Sequence, residues 1–146
     1  MWGDQISSSL SSAVSCCEES SLCRFDEELL GGLDLIMADL KIFDSDTHRR
    51  YVGIGNEEIK QNLCRADALG VPMIIRTPII PGINDTVENV SATAEFLRAF
   101  RNVTAYELLP YHPLGISKAA ALGMDMQEFA VPTAKKMEEL KAYAHL

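Results

Sequence analysis

Basic residues are in short supply in this sequence, with 13 Lys and Arg against 21 Asp and Glu and a net charge of -8 over 146 residues. A phosphate backbone is held by clustered cations, so an acidic chain of this kind argues against nucleic-acid binding. The two close basic doublets, Arg49-Arg50 and Lys135-Lys136, read as solvated surface. No run of about 18 apolar residues occurs, so no membrane span is expected. The opening Met1-Trp2-Gly3-Asp4 lacks the positive region and apolar stretch of a signal peptide. A cytoplasmic chain with reduced thiols is the expectation. No Gly-rich dinucleotide fingerprint follows any apolar run.

Cysteine is present but poorly spaced for metal. Cys16 and Cys17 are adjacent, Cys23 follows after a gap, and Cys64 stands apart. Zinc sites pair cysteines two to four residues apart and need four ligands. These positions meet neither demand, so they read as free thiols and no metal ligand is assigned.

What is present falls into two parts. Residues 1–24 are rich in Ser and Cys, have no convincing period, and read as a disordered or non-native segment. Residues 25–146 are regular. Phe25 to Leu30 suggests a short helix stopped by Gly31-Gly32, and Leu33 to Lys41 a buried strand. Asn56 is placed to cap a helix carrying Ile59, Leu63, Ala66 and Leu69, which Gly70 ends. Pro72 to Ile80 is a second strand, followed by the turn Pro81 to Asp85. Asp85 and Glu88 then resemble a capping box before Val87, Val90, Ala94 and Leu97. Thr104 to Tyr111 is a third strand. After a longer loop, Thr133 caps a helix whose apolar face is Met137, Leu140 and Ala144. Strand and helix thus alternate three times, the pattern of parallel βα units.

Parallel βα folds place their sites at the C-terminal strand ends. The polar residues there are Asp39 and Lys41, Arg76, and His112 just past the third strand. Alternation puts Leu35, Met37, Asp39 and Lys41 on one face, with Ile36, Ala38 and Leu40 on the other. For Asp39 and Lys41 the readings are an internal ion pair or water-exposed strand-end charges on one side, and a ligand site on the other. For Arg76 they are a structural network or fork-like binding of a carboxylate. For His112 they are a backbone-bonded loop histidine or a site residue. The cluster suits a small zwitterionic or anionic ligand.

Four segments occur in an order that resembles the glycyl-radical-enzyme activating proteins of the radical S-adenosylmethionine superfamily, the family of pyruvate formate-lyase activating enzyme. They are Asp39-Leu40-Lys41, Tyr51 to Asn56, Ile75 to Asp85, and Glu107 to Gly115 with Lys118. The resemblance implies the C-terminal half of a partial (β/α)6 barrel, three consecutive βα units. It implies a [4Fe-4S] cluster and S-adenosylmethionine as cofactors, and a glycyl radical enzyme as the protein partner. In the family a 5′-deoxyadenosyl radical takes hydrogen from that partner's glycine. By motif, Asp39 and Lys41 would meet the cofactor's ribose and methionine groups, Arg76 its polar part, and Leu109 and His112 its adenosine. In some relatives the residue matching Asp39 helps hold a monovalent cation.

The chain departs from the family in lacking Cys-x3-Cys-x2-Cys and the Gly-Gly-Glu segment. It is therefore read as a fragment inactive alone, with no catalytic residue of its own. The alternatives are the C-terminal subunit of a split activase, pairing with a missing N-terminal half, or a non-catalytic module that binds a glycyl radical enzyme. A half barrel leaves sheet edges and an inner face uncovered, so poor solubility or association is expected.

Overall fold

The computed structural model describes residues 32–112 and 129–146. The Ser/Cys-rich segment 1–24, the helix expected at 25–30, and Gly115, Lys118 and Gly123 lie outside the described residues.

The described chain is an α/β unit. Strand β1 (Ile36–Asp39) is followed by α1 (Ser45–Val52) and α2 (Glu57–Ala68). Then come β2 (Met73–Ile79), α3 (Val87–Leu97), β3 (Val103–Pro110) and α4 (Ala134–Lys141). The three strands form one sheet in the order β1-β2-β3, and both pairings are parallel. Parallel neighbours cannot be joined by a hairpin, and the helices supply the crossovers.

The period-2 pattern decides which face is covered. On β2, Met73, Ile75, Thr77 and Ile79 are buried, while Ile74, Arg76 and Pro78 are only partly so. Leu40, Leu63, Ala66, Met73, Ile75 and Leu97 form one core cluster beneath α2 and α3. Ile79, Val90, Leu108, Met137 and Leu140 form a second beneath α3 and α4. The opposite face has no helix over it among the described residues, and Leu35 and Met37 are exposed there by 46% and 53%. The alternation assigned to Leu35–Lys41 is therefore observed, with Leu40 fully buried and Met37 open.

Four local expectations need correction. The buried strand expected over Leu33 to Lys41 is confined to Ile36–Asp39, and Leu33, Leu35 and Met37 are exposed. Helix α1 was not anticipated, because its apolar content is low (Ser-Asp-Thr-His-Arg-Arg-Tyr-Val). It is held instead by Asp44, whose carboxylate accepts from the Thr47 N–H at 2.8 Å, and by Gly53 at φ 94° as its left-handed stop. The cap of α3 is Thr86, accepting from Asn89 N–H, whereas Asp85 accepts from Gly82 N–H at 2.8 Å and stabilises the preceding turn. Asn56 occupies the cap position of α2, but its side chain makes no capping bond and is used elsewhere. Thr133 caps α4 as expected, accepting from Lys136 N–H.

Tyr106 spans the covered face, its hydroxyl 3.1 Å from Thr77 Oγ1. Burial pushes its phenol above the usual 10.0. A raised folded value means that this contribution to stability is complete below pH 10.0 and is lost as pH rises through the folded value. Tyr106→Phe is expected to flatten the alkaline limb of a stability-versus-pH curve measured by urea unfolding. In the same assay Ile75→Ala should cost about 2–5 kcal/mol. Met37→Ala, on the open face, should change stability by no more than about 0.5 kcal/mol.

Candidate functional site

The C-terminal ends of β1 and β2 are built around a proline in the central strand. Leu40 N–H donates to Arg76 C=O at 2.9 Å, so the next ladder bond would run from residue 78 to Leu40 C=O. Residue 78 is Pro78, which has no N–H to give. Thr77 Oγ1 donates to Leu40 C=O instead, at 2.7 Å. The adjoining donors come from Asn84, 1% exposed, whose Nδ2 donates to both Lys41 C=O and Pro78 C=O at 2.7 Å. Its Oδ1 accepts from Ile80 N–H at 2.7 Å. One side-chain amide thus ties the two strand ends together where main-chain pairing stops.

The loop after β1 is held in the same way. Asn56 Nδ2 donates to Ile42 C=O at 2.7 Å and Phe43 C=O at 2.8 Å. Lys60 Nζ donates to Phe43 C=O at 2.7 Å and lies 3.8 Å from the Phe43 ring centroid. Burial draws the Lys60 ammonium below its usual range. Phe43 N–H donates to Asn89 Oδ1 at 2.8 Å. Every carbonyl from Leu40 to Phe43 therefore meets a side-chain donor. Buried His48 sits beneath the α1–α2 turn, with Nδ1 2.7 Å from Ile54 C=O, so the proton belongs on Nδ1. A Cβ on nearby Gly55 would press on the side-chain ends of Glu57, Arg49 and Ser45, which would have to shift to admit it.

This framework presents a row of charges on the open face. Asp39 and Arg76 are register partners; Arg76 Nε donates to Asp39 Oδ1 at 3.0 Å, and Nη2 lies 3.0 Å from the same oxygen as an ion pair. The pair is partly exposed, with side-chain accessibilities of 31% for Arg76 and 35% for Asp39. The ion-pair reading of Asp39 is thus realised, with Arg76 rather than Lys41 as the partner. Lys41 is exposed two residues beyond β1 and forms no ion pair among the described residues. Leu109 is the register partner of Pro78 and is partly buried. His112 is exposed, two residues beyond β3. All five residues therefore end at one pole of the sheet, and Asp39 and Arg76 alone among them are in hydrogen-bond contact.

Two participants carry little local signal. Asn84 reads as a turn residue in the amino-acid order, because its reach to Lys41 crosses 43 positions. Glu107 is the register partner of Arg76 on the side away from Asp39. Its parity with Leu109 could have placed it on this face, but the register that sets it beside Arg76 is a property of the sheet.

With this geometry in place, known proteins can be compared. No protein-family model matches the chain. Pyruvate formate-lyase-activating enzyme of Clostridium pasteurianum is 34% identical over 119 residues, 80% of this chain and 50% of the relative. Isethionate sulfite-lyase activating enzyme of Nitratidesulfovibrio vulgaris is 39% identical over 88 residues, 59% of this chain and 28% of the relative. A crystal structure of a domain of pyruvate-formate lyase-activating enzyme from Bacteroides vulgatus superposes with a TM-score of 0.66 at 27% identity. The match covers 82% of this chain and 66% of that one. Over much of its length the chain is similar to pyruvate formate-lyase-activating enzymes, and a structural neighbour is a domain of the same enzyme. It spans about half the length, or less, of the curated relatives named here. Asp39-Leu40-Lys41 and the Pro81 to Asp85 turn, which carry the family resemblance, are the segments that Asn84 joins.

Asn84→Ala would leave the Lys41 and Pro78 carbonyls and the Ile80 N–H without their side-chain partner. An orphaned buried group costs about 1–3 kcal/mol. Urea unfolding should show a loss of at least that size, and hydrogen exchange should show selective deprotection of Ile80 N–H. A uniform loss of protection would contradict a local role.

Proposed function

We propose that the described strands are the cofactor-holding βα units of a radical S-adenosylmethionine activating enzyme, equivalent to the last three of a partial (β/α)6 barrel. In this reading the whole enzyme acts on a glycyl radical enzyme. S-adenosylmethionine with a [4Fe-4S] cluster supplies its hydrogen-abstracting chemistry. The observation that carries the proposal is the Asp39–Arg76 pair on the face left open among the described residues, with exposed Lys41 just beyond the end of β1.

These residues suit S-adenosylmethionine. Its amino-acid part is a zwitterion, its sulfonium is cationic, and its ribose offers two hydroxyls. Arg76 can receive the carboxylate, since its Nη1 has no partner among the described residues. Asp39 Oδ2, likewise without a described partner, can accept from an ammonium or ribose hydroxyl. Lys41 adds a mobile cation at the rim. Leu109 offers an apolar contact for adenine, and His112 a polar ring beside it. The rigid 40–43 segment keeps Asp39 and Lys41 in place before a ligand arrives, which lowers the ordering cost of binding.

The described residues do not suit the cluster. They contain no group of three or more His, Cys, Asp or Glu able to hold a metal, and their one cysteine is Cys64 on α2. The full sequence has no Cys-x3-Cys-x2-Cys. Ligands for a family-type cluster would have to come from another polypeptide segment, so no step is assigned to the present residues beyond holding and orienting the cofactor.

Titration of the 15N-labelled chain with S-adenosylmethionine is expected to shift resonances of Asp39, Lys41, Arg76, Leu109 and His112 together. Arg76→Ala should weaken binding about 10-fold or more, as expected for the loss of a charge-assisted bond. Shifts confined to other residues, or none, would overturn the assignment. Under anaerobic reduction the chain alone should release no 5′-deoxyadenosine. Release at a catalytic rate would refute the holding role as its whole contribution.

A further inference from the structure

Arg76 stands in register between two carboxylates, Asp39 on β1 and Glu107 on β3. Register partners on neighbouring parallel strands point to the same face, with strands about 4.8 Å apart. Both carboxylates are therefore within reach of one guanidinium. In the structure Arg76 uses one of them: Nε and Nη2 converge on a single oxygen, Asp39 Oδ1. That arrangement is weaker than a fork-on-fork pair, in which each nitrogen has its own oxygen. Glu107 is exposed and has no hydrogen bond or ion pair among the described residues.

We infer that Glu107 is a positioning residue, the second seat of the Arg76 guanidinium when a ligand engages Asp39. The inference rests on the reading of Asp39 and Arg76 as ligand contacts. A ligand group that engages both Asp39 oxygens, as a chelated cation or a pair of hydroxyls would, takes the Oδ1 that Arg76 now uses. A ligand carboxylate can meet Nη1, but the Nε edge of this two-thirds-covered guanidinium would then lack an acceptor, which is costly. Glu107 supplies that acceptor across the strand. The exchange needs only side-chain rotation between staggered rotamers, because the backbone register already fixes both acceptors. Arg76 thus stays extended over the open face in both states.

The test uses the 146-residue chain, its Asp39→Ala, Glu107→Ala and doubly substituted forms, and 15N NMR of the arginine Nε–H groups. Alanine removes the acceptor at each position, whereas an amide would keep one. The Arg76 Nε–H signal is expected to be slowed in exchange in the parent chain and to persist in either single variant. It should be lost in the double variant. Loss in Asp39→Ala alone, or persistence in the double variant, overturns the inference. Glu107→Ala should also weaken S-adenosylmethionine binding by about 3- to 10-fold, in line with a partly exposed ion pair, with the melting temperature unchanged. Unchanged affinity would overturn Glu107 as a positioning residue. If S-adenosylmethionine fails to bind the parent chain at all, the proposed function falls, while the guanidinium signals still decide whether the second seat exists.

Discussion

Pro78 has no N–H to give Leu40, and the ends of β1 and β2 are arranged around that lack. Main-chain pairing of the central strand cannot continue past it on the β1 side. Thr77 supplies the donor Leu40 needs, and the amide of Asn84 bridges the carbonyls of Lys41 and Pro78. Backbone groups in such a place must be paired, because an unpaired one in the interior costs more than most side-chain contacts return. The consequence is a strand end that stops abruptly yet is rigid. On one face its side chains have no helix over them among the described residues, while its carbonyls from Leu40 to Phe43 are held by side-chain donors.

The two faces of the sheet then divide the work. One face is close-packed beneath the helices and supplies the apolar burial that stabilises the unit. The other leaves Leu35 and Met37 open and carries Asp39, Arg76 and Glu107 toward one pole. A lone charge on a packed face would be expensive; on an uncovered face it remains partly hydrated and available. The Asp39–Arg76 pair is a compromise of this kind, geometrically defined at 3.0 Å but one-third exposed.

Several residues that make the chain resemble its relatives hold backbone rather than face the open side. Asn56, at the end of the Tyr51 to Asn56 stretch, holds the carbonyls of Ile42 and Phe43. Asn84, in the turn after β2, holds that of Lys41. Gly55 leaves room for Glu57 and Arg49, and Gly82 at φ 78° makes the turn that delivers Asn84. These motifs converge on the loop that follows Asp39-Leu40-Lys41.

By itself, the sequence determined the alternation of strands and helices, the covered face of β1, and the pole at which Asp39, Lys41, Arg76, Leu109 and His112 gather. Those features follow from periods of 2 and 3.6 and from the parallel direction that helical crossovers impose. Helix α1 escaped because a capped polar helix leaves little hydrophobic pattern to read. The Thr86 cap was misplaced by one residue because Asp85 and Thr86 are both competent caps. Long-range packing sets the rest: Arg76 rather than Lys41 pairs with Asp39, Glu107 stands in register with the same Arg76, and Asn84 and Asn56 brace a loop 13 to 43 positions away. Register and side-chain reach across strands are set by how the sheet and its helices pack, and no local pattern encodes them.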